Sequence, residues 1–301
     1  MIPTFAQMLA LFSLMLIGYV AGKLKILTLA ENKTLSKIVN FITNPCTMLY
    51  SAVCSEQVLT NGEVFLMLGT VSGVYLVLIL LSRLIPPLLR VPKEQTGQYR
   101  FMMIFTNCAF VGIPVVSAVF GPQGVFCVAI FTMVFCAVVY TYGACLVRGD
   151  THFNFRDLLS PMFIAAVLSL IGYLLRIRLT GIPETVLGML NGVTSPLAMI
   201  VTGCALSAVP LGKVFGNWRL YIVAFLKMIV IPICALFVLR YVLQNPLALG
   251  VTVCLIGMPI AMNFTLLSAQ YGRDQTLASS SIFLTTLLSV FTIPVLCSFL
   301  I

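Results

Sequence analysis

Two asparagines, Asn107 and Asn263, stand inside long apolar runs, with Pro114 seven residues after the first and Pro259 four before the second. An amide offers both donors and an acceptor, so it can bind a carboxylate without being charged. Proline cannot donate a backbone hydrogen bond, and its ring clashes with the preceding turn. Gly112 adds backbone freedom beside Pro114. Helices through 106–121 (TNCAFVGIPVVSAVFG) and 257–272 (GMPIAMNFTLLSAQYG) are therefore expected to break. In lipid, backbone groups freed by a break persist only if protein buries them or they line a wet cavity. A broken helix also presents N-terminal N–H groups and a positive dipole end, which suit an anion. The chemistry is reversible anion binding by Asn107 and Asn263, with Thr106 and Thr265 in support. Gly112, Pro114 and Pro259 would shape the breaks.

Lys227 is the third candidate, as the one charge expected deep in a span. It lies eight residues past Arg219, or about 12 Å along a helix, approaching the middle of a core about 30 Å thick. An intramembrane charge calls for a named partner. All eight acidic residues read as loop residues, so none is available. Three readings remain: a tie to helix C-terminal carbonyls, attraction of the anion, and snorkelling to the surface.

The surrounding elements must be membrane helices. The chain has 301 residues, 60% hydrophobic and 8% charged, where a soluble domain carries about 25% charged. The net charge of +9 is read as loop charge that sets orientation, not as a nucleic-acid surface. The first charged residue is Lys23, so the first apolar stretch lacks the basic start of a cleaved signal and is expected to stay as a span. With about 20 apolar residues per span, the chain reads as all-α, with ten transmembrane helices at roughly 5–22, 36–54, 64–84, 100–120, 124–147, 158–175, 187–209, 219–241, 247–270 and 276–300. Loops on one side hold 13 Lys and Arg against 3 on the other. The richer side is expected to be cytoplasmic, with both termini outside a cell membrane crossed many times. The ten cysteines sit mostly in apolar runs without CxxC spacing, and His152 is the sole histidine, in a loop. No metal site and no cofactor is expected.

The halves resemble each other. Leu16-Ile17-Gly18-Tyr19 recurs as Leu170-Ile171-Gly172-Tyr173. Asn40, Thr43, Pro45 and Met48 match Asn191, Thr194, Pro196 and Met199, and Ser117, Ala118 and Gly121 match Ser268, Ala269 and Gly272. The expectation is two five-helix repeats, 1–150 and 151–301, inverted because five is odd. Inverted repeats suit alternating access.

The run from Asn107 to Pro114, the Phe225-Leu-Lys227 triplet with Pro232, and the stretch from Pro259 to Tyr271 before a Ser/Thr-rich last span together resemble the auxin efflux carrier family. That family includes plant PIN proteins and bacterial organic-acid permeases. The resemblance spans all ten expected helices. It implies a scaffold (spans 1, 2, 6 and 7) and a transport domain (spans 3–5 and 8–10), with spans 4 and 9 crossing as broken helices. It also implies organic-anion substrates such as auxin, malate or malonate. Plant members carry a further proline where Phe264 stands here, so the second break is expected to be less sharp.

The expected function is a secondary transporter of a small organic anion working by elevator-type alternating access. With no intramembrane carboxylate, it is expected to be uncoupled and driven by potential, since an anion leaving a negative interior gains about 2.3 kcal/mol per charge at 100 mV. The alternative is a sodium- or proton-coupled symporter of the bile-acid transporter type. An enzyme would need a nucleophile–base pair or metal ligands within the spans, and the sequence offers neither. Expected partners are the lipid bilayer, the anion and a second copy in a homodimer, and not nucleic acid.

Overall fold

A computed structural model of the chain describes residues 2–150, 159–209, 214 and 216–300. His152 lies outside them. The described residues are helical, and the only β-type pairing among them is one isolated bridge between Thr106 and Ile260. The helices are α1 (Ile2–Lys23), α2 (Leu29–Ile38), α3 (Asn44–Val53), α4 (Asn61–Ser82), α5 (Ile85–Leu88), α6 (Thr96–Ile104), α7 (Ile113–Val138) and α8 (Ala144–Arg148). After the loop come α9 (Pro161–Leu174), α10 (Ile182–Ser207), α11 (Trp218–Phe225), α12 (Ile231–Leu239), α13 (Pro246–Ile256), α14 (Asn263–Gln270) and α15 (Gln275–Ser298). Among the described residues, six continuous helical runs are long and apolar enough to cross a membrane. Large side chains such as Leu16, Phe65, Leu76, Phe237 and Phe291 are exposed on their outer faces. In water such surfaces would aggregate; in a bilayer they meet lipid.

The longest of those runs, Cys108–Arg148, is two segments. Gly121 takes φ 73° and ψ −175°, a conformation that suits glycine, and Pro122 follows it. A Cβ at Gly124 would approach both Phe120 and Val116, so the chain turns back on itself there. Gly272, at the end of α14, also has positive φ (62°).

Three prolines inside the bundle are met by wider turns. Three π-turns, Val39–Thr43, Cys108–Gly112 and Leu226–Val230, each end two residues before a proline: Pro45, Pro114 and Pro232. The wider turn moves aside the carbonyl that the ring would strike. At the other ends, Thr28 and Thr60 start α2 and α4 with capping boxes. The Thr28 backbone N–H holds the Glu31 carboxyl below the usual range.

Both LIGY stretches lie at close helix contacts. A Cβ at Gly18 would collide with the Ile200 carbonyl, and one at Gly203 with the Met15 carbonyl, so α1 and α10 touch backbone to backbone. Close approach through small residues is how membrane helices gain dispersion energy. Gly172, the counterpart of Gly18, packs against Val53 of α3. Each LIGY glycine thus contacts a helix from the opposite half of the chain. The Thr47 and Thr194 hydroxyls join α3 to α10 at 2.7 Å.

Candidate functional site

Most of the candidate residues gather where two helices stop and restart. Helix α6 ends at Ile104, residues 105–107 are non-helical, and helix resumes at Cys108. Helix α13 ends at Ile256, residues 257–262 are non-helical, and α14 begins at Asn263. The two breaks pair with each other. The Asn107 N–H donates to the Pro259 carbonyl at 2.7 Å, and the Ala261 N–H to the Phe105 carbonyl at 3.3 Å. Backbone groups that lipid could not satisfy are satisfied here by one another. The Ile260 N–H donates to Thr285 Oγ1 of α15 at 3.2 Å.

The break positions differ from the simplest reading of the prolines. Pro259 lies inside the second break, but the first break falls seven residues before Pro114. The π-turn absorbs Pro114, which then sits in the first turn of α7, where its missing N–H costs little. Gly112 has ordinary helical φ, −63°. Its role is space: a Cβ there would lie 2.9 Å from Leu255 Cδ2 and 3.3 Å from the Asn107 carbonyl. The second break, at six residues, is also longer than the first, although Phe264 stands at the position of the plant members' further proline. Phe264 is fully buried and stacks on Phe101 of α6, with centroids 4.7 Å apart.

Asn107 caps the restarted helix. Its Oδ1 accepts the Phe110 N–H at 3.1 Å, while its Nδ2 is buried without a hydrogen-bond partner among the described residues. The Thr106 hydroxyl is in the same state. Both residues line a cavity of about 180 Å³, and so does Asn263. That volume is below the ~300–1,000 Å³ of drug-sized sites and suits a small molecule. The restarted helices point their N-terminal ends at this cavity, through 106–110 and 261–263. Each end carries about half a positive charge from its unpaired N–H groups. Among the described residues, no charged side chain lines the cavity. Its chemistry is therefore two amides, hydroxyls and two positive helix ends, an arrangement that can hold a small anion.

Asn40, Thr132, Tyr140 and Ser160 also line this cavity. Sequence reasoning passed over them because lone polar residues in apolar runs are common; only Asn40 belonged to a recurring pattern. Two candidates lie elsewhere. The Thr265 hydroxyl bonds back to the Met262 carbonyl at 2.9 Å and does not line the cavity. Lys227 is fully buried, and its Nζ lies 3.4 Å from the Met103 carbonyl, next to the last residue of α6. It therefore faces the C-terminal, negative end of the half-helix whose partner opens the cavity. Asn44 is buried completely, with neither amide atom partnered, and does not line the cavity. A larger space of about 530 Å³ runs between α4, α7 and α9. Its walls are almost wholly apolar and include the exposed Leu76, which marks a groove on the lipid face.

Comparison with known proteins identifies the family. The family model described as "Membrane transport protein" matches residues 3–152 and 150–297. A protein of Methanocaldococcus jannaschii described as an uncharacterized transporter is 28% identical, over 97% of this chain and 97% of its own length. One of Methanothermobacter thermautotrophicus, described in the same words, is 26% identical over 95% of each. With both halves of the chain matched, and with transporters as its full-length relatives, the chain belongs to the membrane transport protein family, that of the auxin efflux carriers.

Proposed function

We propose that this membrane transporter carries a small organic anion, such as a monocarboxylate or dicarboxylate, by elevator-type alternating access. The observation that supports it most directly is the cavity at the paired breaks. There Asn107, Asn263 and two helix N-termini meet, with no carboxylate beside them among the described residues. Asn107 Nδ2 and the Thr106 hydroxyl are the donors left for the anion.

Helical residues fall within each of the ten expected spans, which supports a 5+5 arrangement with spans 4 and 9 as the crossing helices. The reciprocal packing of Gly18 on α10 and Gly172 on α3 supports inversion of the two halves. In this reading spans 1, 2, 6 and 7 form the scaffold, and the rest move with the anion. The cavity is walled by Tyr140 and by Ser160 at the start of α9, on the side read as cytoplasmic. At the other end of α9, Tyr173 stacks on Phe126 at 3.7 Å, and its hydroxyl bonds the backbone of Leu59. This pattern supports an inward-facing state in a cell membrane, with both termini outside. A homodimer completes the proposal.

The test is flux in proteoliposomes loaded in turn with labelled malate, malonate and indole-3-acetate, with the potential set by potassium and valinomycin. Flux of an anion that follows potential alone supports the uncoupled carrier. Flux that needs a sodium or proton gradient replaces it with the coupled symporter. Absence of flux for all three removes the organic-anion assignment.

A further inference from the structure

Lys227 is the one charged side chain fully buried among the described residues. It lies nine residues into the helical run that starts at Trp218, about 13 Å along it. Every described acidic residue is exposed or half-buried, so among the described residues no buried carboxylate neutralises it. The contact its ammonium makes is 3.4 Å to the Met103 carbonyl, longer than a good N–H···O bond. Buried charges are ordinarily paired, and a lysine kept only to cap one carbonyl would be a poor use of such a position. The negative end of α6 compensates part of the charge. The remainder is left for something that is not always present.

We propose that Lys227 is the fixed counter-charge of the moving unit, so that the unit loaded with a monovalent anion crosses the membrane neutral and the empty unit returns carrying one positive charge. This rests on the anion-carrier reading above. The helix ends at the two breaks contribute no net charge, because each half-helix has one positive and one negative end. Lys227 and the anion therefore set the charge that moves. They need not touch, because only the sum matters to the membrane field. The overall cycle still exports one negative charge. The potential acts on the empty return, which a negative interior pulls inward.

The experiment compares wild type, K227R, K227Q and K227M in proteoliposomes with clamped potential. Exchange of labelled for unlabelled monovalent anion uses only the loaded unit. Net efflux also uses the empty one. In wild type and K227R, exchange should be flat with potential while net efflux responds by about sevenfold per 100 mV, half of the 2.3 kcal/mol available per charge. In K227Q or K227M, exchange should acquire that dependence. Wild-type exchange that is as steep as that of K227Q overturns the proposal.

A second measurement needs no substrate. A potential step applied to the empty protein should displace charge in wild type and K227R, and not in K227Q or K227M. Displacement with no anion flux would keep the Lys227 assignment and remove the anion reading. No displacement in wild type would remove the Lys227 assignment, whatever the flux.

Discussion

The break before Cys108 takes three residues and is capped by its own Asn107, whereas the break before Asn263 takes six and draws a hydroxyl from α15. Met262, the residue that caps α14, makes no side-chain bond to it. The breaks pair with each other, but the helices that restart after them are held differently. The first restart is capped locally by Asn107, which leaves one amide nitrogen over for the cavity. The second depends on its neighbours, Thr285 from one side and the Phe101–Phe264 stack from the other.

That dependence gives the largest expected effect. Phe264→Ala removes a fully buried ring that ties α14 to α6. We expect a loss of about 3 kcal/mol, near the low end for Phe→Ala because lipid rather than water is the reference. Thermal melting in detergent measures it. A loss below about 1 kcal/mol would mean that the second break holds itself.

Asn107 comes next, and two substitutions separate its two roles. Asn107→Ala removes both the cap and the free amide. Asn107→Asp keeps an acceptor for the Phe110 N–H but sets a negative charge against the anion. A hydrogen bond to a charged group is worth about 1.5–3 kcal/mol, so both variants should lose roughly ten- to hundredfold in apparent affinity. Only Asn107→Ala should also melt earlier, by the usual cost of a lost cap, about 1 kcal/mol. If Asn107→Asp transports normally, the amide nitrogen does not meet the anion.

Thr285→Val tests the support of the second break from α15. It leaves the Ile260 N–H buried without its acceptor, at a cost of about 1–3 kcal/mol. Melting should drop while the apparent affinity for the anion holds. Thr285→Ser should restore stability. Loss of affinity without loss of stability would place Thr285 in the anion's path instead.

Composition and apolar length made the membrane helices legible, and Asn107, Thr106, Asn263 and Pro259 were legible because polar groups and prolines are conspicuous in apolar runs. The position of the first break was not. Pro114 advertised a disruption that the π-turn absorbs, and the actual break is held by pairing with residues 150 positions away, which no local rule reports. Gly112 shows the same limit: its small size answers Leu255 of α13, a contact made only by the fold. Thr285 was hidden among the hydroxyls of the last span, since most of these, Thr285 included, bond their own helix.

Asn263→Ala should have the smallest effect and is the sharpest test of the asymmetry. Asn263 is the first residue of α14, half-buried in the cavity wall, and its side chain makes no hydrogen bond among the described residues. It does not cap its helix, so stability should be unchanged. Being half-buried, it already has access to water when the anion is absent, and its net contribution should be that of an ordinary exposed bond, about 0.5–1.5 kcal/mol. That amounts to roughly a two- to tenfold loss of apparent affinity, less than for Asn107→Ala. The double variant should lose the product of the two factors if the amides grip different oxygens of one anion, and less than the product if they share one oxygen. Should Asn263→Ala prove the costlier single change, the second break, not the first, would be the principal anion contact, and the free amide of Asn107 would serve the fold.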